Sequence, residues 1–249
     1  MKTAVITGAT KGIGRAIAAQ LWSIGYNIAV CSRSAADLDE MKQVLAKAEK
    51  LSNSGAKKVT TELGGVQEVL TQVCDVSDQK QVSAFAKTIH DAWGKVDVLV
   101  NNAGTFEPGK LIEEPDGTLQ RLLQTNVMSA YWLTRALLLD LKAAPNALIV
   151  NICSIASMQA YPPGGSYAVS KFALRGLSTT LRDELKEEGI KVTAVFPGAT
   201  WSASWDGVEM PQHRLMLASD IAHSVVSLLS LSPQAVVEEI LIRPQLGDV

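Results

Sequence analysis

The chain predicts an α/β domain: a doubly wound parallel sheet of about seven strands with helices on both faces. Three observations carry that expectation. Short apolar runs alternate with stretches of helical periodicity from residue 3 to residue 242, the rhythm of successive βα units whose strands lie parallel. The first unit joins its strand to its helix through a glycine-rich turn, Gly8-Ala9-Thr10-Lys11-Gly12-Ile13-Gly14. Finally, 249 residues, 47% of them apolar, run without a Ser/Pro/Gly-rich linker, as expected of one large domain, 1–249, with a substantial core.

Composition narrows the partners. The net charge is −2 and no basic block is present, which argues against nucleic acid or an anionic membrane. No apolar run reaches spanning length and the chain enters its first strand at once, so neither a membrane span nor a secretory leader is expected. Cys31, Cys74 and Cys153 are odd in number and form no CxxC pair, which fits reduced thiols and a cytoplasmic location. His90, His213 and His223 lack ligand spacing, so no metal site is expected.

Taken in order, Ala4–Thr7 is a short β-type run, and the helical pattern after the glycine turn begins with Ile17, Ala18, Leu21 and Trp22. In such a turn Gly8 permits the tight bend, Gly12 lets backbone approach phosphate and Gly14 lets helix pack on strand. A pyrophosphate would sit at the helix N-terminus, where free N–H groups and the dipole favour an anion. Asn27–Ser32 is the second strand and ends in Ser32-Arg33-Ser34. A carboxylate there would hold an adenosine ribose diol, but Asp37 comes too late; Ser32, Arg33 and Lys11 instead suit a 2′-phosphate. That favours NADP over NAD, with solvated surface charges as the plain alternative.

Ala35–Leu51 reads as a helix and Ser52–Gly65 as a polar surface excursion. Val69–Cys74 is a strand ending at Asp75-Val76, where Asp75 could accept from an adenine amino group or help cap the helix from Ser77. Val82–Trp93 is an amphipathic helix, and Val96–Val100 a strand ending in Asn101-Asn102-Ala103-Gly104, a turn that can approach a ligand closely. Thr118–Lys142 reads as one long helix containing Asn126, whose neighbours Leu122, Leu123, Val127 and Tyr131 suggest partial burial. Ala147–Ile152 is the fifth strand, and a helix running from Tyr167 to about Glu188 follows its Pro/Gly turn. Ile190–Phe196 is the sixth strand, broken by Pro197-Gly198. Residues 199–217 carry Trp201, Trp205, Met210 and Met216 without clear periodicity, which suits a mobile cover over a site. A last helix starts at Ser219-Asp220, and Val236–Ile242 is the last strand.

The stretch from Ser154 to Lys171 is the chemical candidate. Ser154 lies just past the fifth strand, Tyr167 follows thirteen residues later, and Lys171 falls four residues on, one helical turn away on the same face. Three such side chains can surround one small carbonyl.

With these residues in hand, the chain resembles the short-chain dehydrogenase/reductase family over nearly its whole length. The resemblance rests on TGATKGIG at Thr7–Gly14, Asp75-Val76, Asn101-Asn102-Ala103-Gly104, Asn126, Ser154, Tyr167 with Lys171, and Pro197-Gly198. It implies a Rossmann-type sheet and a catalytic set of Asn126, Ser154, Tyr167 and Lys171. It implies NADP contacts at Gly8, Lys11, Gly12, Ile13, Gly14, Ser32, Arg33, Asp75, Val76, Asn102, Ala103, Gly104, Tyr167, Lys171, Pro197, Gly198 and Ser202. It further implies a small-molecule carbonyl substrate, as in the 3-oxoacyl-thioester reductases, and a homodimer or homotetramer packed through the two long helices. Ser202, where the family often has Thr, and the length of Ser52–Gly65 are departures from the pattern.

The chemistry expected of such a site is carbonyl reduction. Negative charge develops on the carbonyl oxygen, so a proton donor and a hydrogen-bonding partner are needed there. Tyr167 would donate, its phenol made more acidic by the Lys171 ammonium. Ser154 would orient the carbonyl, and Asn126 would hold a water linking Lys171 to solvent. Cys153 is expected to point to the other face of the strand and pack. Phe106, Met158, Trp201 and Trp205 could line an apolar pocket, or seal the cover or a subunit contact.

Overall fold

A computed structural model of the protein describes residues 1–52, 66–201 and 211–248. Seven parallel strands form one sheet in the order β3-β2-β1-β4-β5-β6-β7. They are β1 (Thr3–Thr7), β2 (Asn27–Ser32), β3 (Val69–Val73), β4 (Val98–Asn101), β5 (Leu148–Ile152), β6 (Lys191–Pro197) and β7 (Glu239–Ile242). The expected class and strand count are therefore what the molecule has.

Alternation along β1 divides the core into two layers. Ala4 and Ile6 pack with Ile17 and Leu21 of α1 (Gly12–Ser23), Met41 and Leu45 of α2 (Ala35–Ser52) and Ile221 of α8 (Ala218–Ser227). Val5, with Leu99 and Ile149 of neighbouring strands, packs on the other face against Phe85 and Ile89 of α3 (Gln79–Trp93) and Leu133 of α5 (Ser129–Ala136). Strands buried on both faces read as continuous apolar runs, which is why the sequence marks them so clearly. Strand order reverses between β1 and β4, so their carboxyl ends open the crevice in which such sheets bind ligands.

Several boundaries differ from expectation. The long helix is not continuous: α4 (Thr118–Leu123) passes into a π-helical turn at Gln124–Met128, then α5, then a break at Leu137 before α6 (Leu138–Lys142). Apolar periodicity cannot show one extra residue in a turn, and here that residue helps bring Asn126 inward. Between β5 and α7 (Gly165–Leu185), the residues Ile155–Ser157 form a single 3₁₀ turn, and α7 itself opens two residues before Tyr167. Pro197 belongs to β6, where its register partner is Ile242 of β7. The helix after Asp75 starts at Gln79, capped by Asp78.

The 199–217 segment closes at its base, where Thr200 bridges Met216, Trp201 N donates to Met216 O at 2.8 Å and Met216 N donates to Ala199 O at 3.0 Å. Ser202, Trp205 and Met210 lie outside the described residues, as do positions 53–65 of the polar excursion.

Candidate active site

The crevice is built from the ends of β1 and β4. Gly8 (φ 62°) and Gly12 (φ 52°) adopt left-handed backbone, which glycine takes without strain. A Cβ on Gly8 would stand 2.9 Å from Ala103 Cα, so the turn and the end of β4 are in close contact. Gly14 is hemmed in by Gly8 O and the Asn102 amide, in keeping with its expected packing role. Thr7 Oγ1 accepts from Asn102 N at 3.1 Å and Ala103 N at 3.0 Å. Asn102 Nδ2 donates to Thr7 O and Gly8 O, both at 2.9 Å. The Asn102 side chain, expected to contact cofactor, thus braces the glycine turn with its amide nitrogen. Lys11 caps α1 in an extended conformation without a side-chain bond, and no acid lies in the first turn. The leading N–H groups of α1, that of Ile13 among them, are therefore left for an anion.

Register pairs Thr7 with Cys31, so the glycine turn leaves the sheet beside Ser32. Ser32 is half-buried, its Oγ accepting from Ser34 N at 3.3 Å, while Arg33 and Lys11 are exposed. Arg15, which the sequence did not single out, donates to Thr10 O and Glu40 Oε1, both at 2.7 Å, and steadies the same corner. Asp75 Oδ1 accepts from Ser77 N at 2.9 Å and Ser77 Oγ at 2.7 Å, while Asp78 accepts from Lys80 N at 2.8 Å as the helix cap. Of the two alternatives for Asp75, capping therefore belongs to another residue. Val76 packs against the core, and Gly198 N donates to Ile242 O at 2.8 Å at the end of β6.

Ser154 leaves β5 in an extended conformation, and its Oγ accepts from Ala156 N at 3.1 Å to cap the 3₁₀ turn. Ser154 lies near enough to Tyr167 to act on its titration. Lys171 Nζ lies 5.8 Å from the Tyr167 ring centroid and donates to Ile152 O at 3.0 Å. Asn126 enters from the π-helical turn: Oδ1 accepts from Thr105 N at 2.8 Å, and Nδ2 donates to Thr105 O at 3.0 Å and Ser170 Oγ at 2.9 Å. Ser170 in turn donates to Tyr167 O at 2.7 Å. It connects Asn126 to the helix of Tyr167, a role the sequence does not mark although Ser170 adjoins Lys171. A Cβ on Gly104 would lie 3.2 Å from Asn126 Oδ1 and 3.5 Å from Lys171 Nζ, so those atoms share the floor of one small space.

Burial dominates the electrostatics. Desolvation pushes Tyr167 above its ordinary 10.0, and the nearby Ser154 hydroxyl only partly offsets this. Desolvation likewise pulls Lys171 below its ordinary 10.5. The expected lowering of Tyr167 by Lys171 is thus not found. The amine is itself disfavoured as a cation by burial, and it is turned to the Ile152 carbonyl. Cys153 packs with Leu174 and Phe196, its thiol pushed up to about 11 by burial, which matches the inert packing role expected.

Phe106 meets the Tyr167 ring edge-on, centroids 4.9 Å apart at 80°. That contact puts it at the site, although it stays 39% exposed, much as Met158 and Trp201 do at 37% and 40%. A separate apolar groove of about 710 Å³ is lined by Leu111, Ala160, Tyr161, Pro163, Val169 and Phe172. Gly165, Ala168, Val169 and Phe172 in its wall recur at helical spacing opposite Tyr167 and Lys171, so the groove is on the outer side of α7. Among the described residues no group of three metal-ligating side chains occurs, and no helix is long and apolar enough to cross a membrane.

Known proteins give the same arrangement a context. Sepiapterin reductase of Chlorobaculum tepidum is 32% identical over 253 residues, covering 98% of this chain and 97% of the relative. The alcohol dehydrogenase of Thermococcus sibiricus complexed with 5-hydroxy-NADP superposes with a TM-score of 0.85 at 28% identity, covering 100% and 99% of the two chains. A Phe-to-Trp variant of the actinorhodin polyketide ketoreductase with NADPH superposes at 0.84 with 25% identity, covering 100% and 98%. The short chain dehydrogenase family profile matches residues 2–53 and 47–210. The glycine turn and the Ser154, Tyr167 and Lys171 cluster all fall within the matched residues, and the chain belongs to the short chain dehydrogenase family.

Proposed function

We propose that the protein is an NADPH-dependent reductase of a ketone or aldehyde, with Tyr167 as general acid and base. The observation that carries this reading is the convergence of Ser154, Tyr167, Lys171 and Asn126 at the mouth of the crevice. The residues fit the cofactor: the left-handed glycines and the free N–H groups of α1 suit a pyrophosphate, and exposed Lys11 and Arg33 beside Ser32 suit a 2′-phosphate. The cofactor in the actinorhodin ketoreductase and Thermococcus complexes supports the same preference. Asp75, with Oδ2 free of the Ser77 bonds, would accept from the adenine amino group. Gly12, Val76, Ala103, Gly104, Pro197 and Gly198 would give close backbone approach. Ser202, from its place in the sequence alone, would meet the nicotinamide amide. Bound there, NADPH would supply the hydride.

The chain's own groups handle the oxygen. Ser154 Oγ orients the carbonyl, and Tyr167 gives its proton to the developing oxyanion. Burial keeps the phenol protonated, which suits the donor required for reduction. Asn126 Oδ1 retains one acceptor position and would hold a water against Lys171 for reprotonation. The intact Ser154, Tyr167 and Lys171 set disfavours a non-catalytic NADP sensor, which has no use for an acid. We read the protein as a cytoplasmic homo-oligomer, since its three cysteines are unpaired and apolar Val169 and Phe172 are exposed on α7.

Titration of nicotinamide fluorescence with NADPH and NADH, followed by turnover on a carbonyl panel, tests this reading. Tyr167→Phe should keep NADPH binding and lose nearly all turnover, and Arg33→Ala should weaken NADPH while leaving NADH unchanged. Turnover undiminished in Tyr167→Phe would remove the proposed acid. Tighter NADH than NADPH in the parent protein would make it an NAD-dependent alcohol dehydrogenase instead.

A further inference from the structure

The helix that carries Tyr167 and Lys171 begins without a cap of its own. Gly164, at its N-cap, offers no side chain, and no acid lies in the first turn of α7. The cap comes from another part of the chain. Glu114 Oε1 accepts from Ser166 N at 2.9 Å, and Glu114 Oε2 accepts from Ser166 Oγ. Ser166 is 1% exposed and immediately precedes Tyr167. The fit around the carboxylate is tight: a Cβ on Gly109 would stand 2.9 Å from Glu114 Cγ, and one on Gly165 would collide with Oε1.

The segment bearing Glu114 is the loop between β4 and α4, which also carries Phe106 against the Tyr167 ring. Asn126 holds the start of this loop through both backbone groups of Thr105, and Gly109 N donates to Pro163 O at 2.9 Å midway. Glu114 closes its far side onto α7. A carboxylate at a helix N-terminus both satisfies orphan N–H groups and complements the dipole, and here it also ties the wall of the site to the residue beside the acid.

We propose that Glu114 is a positioning residue of the reaction: through Ser166 it fixes where Tyr167 and Phe106 stand relative to each other and to the substrate carbonyl. This rests on the reading of Tyr167 given above. Displacement of a reacting group by about 1 Å costs on the order of a hundredfold in rate, so loosening the clamp should reach kcat without touching the distant nucleotide half.

The experiment compares Glu114→Ala, Glu114→Gln, Ser166→Ala and the Glu114→Ala/Ser166→Ala double variant. Glu114→Ala should lower kcat about tenfold to a hundredfold, with NADPH affinity unchanged. Glu114→Gln keeps an acceptor for Ser166 N–H and should recover most of the loss. Ser166→Ala, which removes only the hydroxyl bond, should lose part of kcat, and the double variant should be no worse than Glu114→Ala, because that variant already removes both bonds to Ser166. In the protein without ligands, hydrogen exchange of 105–117 and of the first turn of α7 should rise in Glu114→Ala. Unchanged kcat and KM in a folded Glu114→Ala, or losses that simply multiply in the double variant, would overturn the proposal. If Glu114→Ala does not fold, Glu114→Gln and Ser166→Ala decide, and equal loss of kcat in those two variants would also count against it. Full turnover in Tyr167→Phe would sink the assignment of the acid alone, since the exchange measurement reads the clamp independently.

Discussion

Replacing Asn126 with alanine should cost the protein far more than a water. Asn126 is 1% exposed and makes three hydrogen bonds, two with the backbone of Thr105 and one with Ser170 Oγ. Each such bond contributes about 1 kcal/mol net, and a buried partner left unsatisfied costs about 1–3 kcal/mol. Ser170 keeps its bond to the Tyr167 carbonyl, so its hydroxyl is only partly orphaned. Thr105 is exposed, so its N–H and C=O lose a partner but can turn to water. The sum is a destabilisation of about 3 kcal/mol, a sizeable fraction of a typical 5–15 kcal/mol. For a chain of this size that corresponds to a fall in Tm of roughly 10 °C. Urea and thermal unfolding of parent and variant, read alongside kcat, provide the assay. A variant with the parent's Tm but reduced kcat would refute the reasoning, leaving Asn126 as a holder of water alone.

On the exposed outer face of α7, Phe172→Glu introduces a charge and should dissociate the proposed homo-oligomer in sedimentation; an unchanged mass would remove that face from any subunit contact. Burial, reinforced by Asp97, pushes Tyr26 up to about 12 from 10.0. Between those values the folded state retains a proton the unfolded state has released, so this contribution is complete below pH 10 and lost as pH rises through about 12. It amounts to at most about 2.7 kcal/mol at 1.36 kcal/mol per unit, and less where solvent screens the hydroxyl. Unfolding curves between those pH values should show a steeper loss in the parent than in Tyr26→Phe, and identical slopes would contradict the buried assignment.

The sheet and the residues of the proposed site were legible in single residues. Strands buried on both faces must be apolar along their length, and a turn that bends tightly against Ala103 needs glycine at position 8. The four-residue step from Tyr167 to Lys171 likewise follows from helix geometry alone. Relations between residues far apart in the chain became visible only in the folded molecule. Asn102 proved to brace the glycine turn 94 residues away, Asp78 rather than Asp75 capped its helix, and Glu114 capped α7 from 52 residues upstream. The π-helical turn at Asn126 and the upward push on Tyr167 belong to the same class. Periodicity is a property of neighbours along the chain, whereas desolvation and cross-chain hydrogen bonds depend on which distant groups packing brings together.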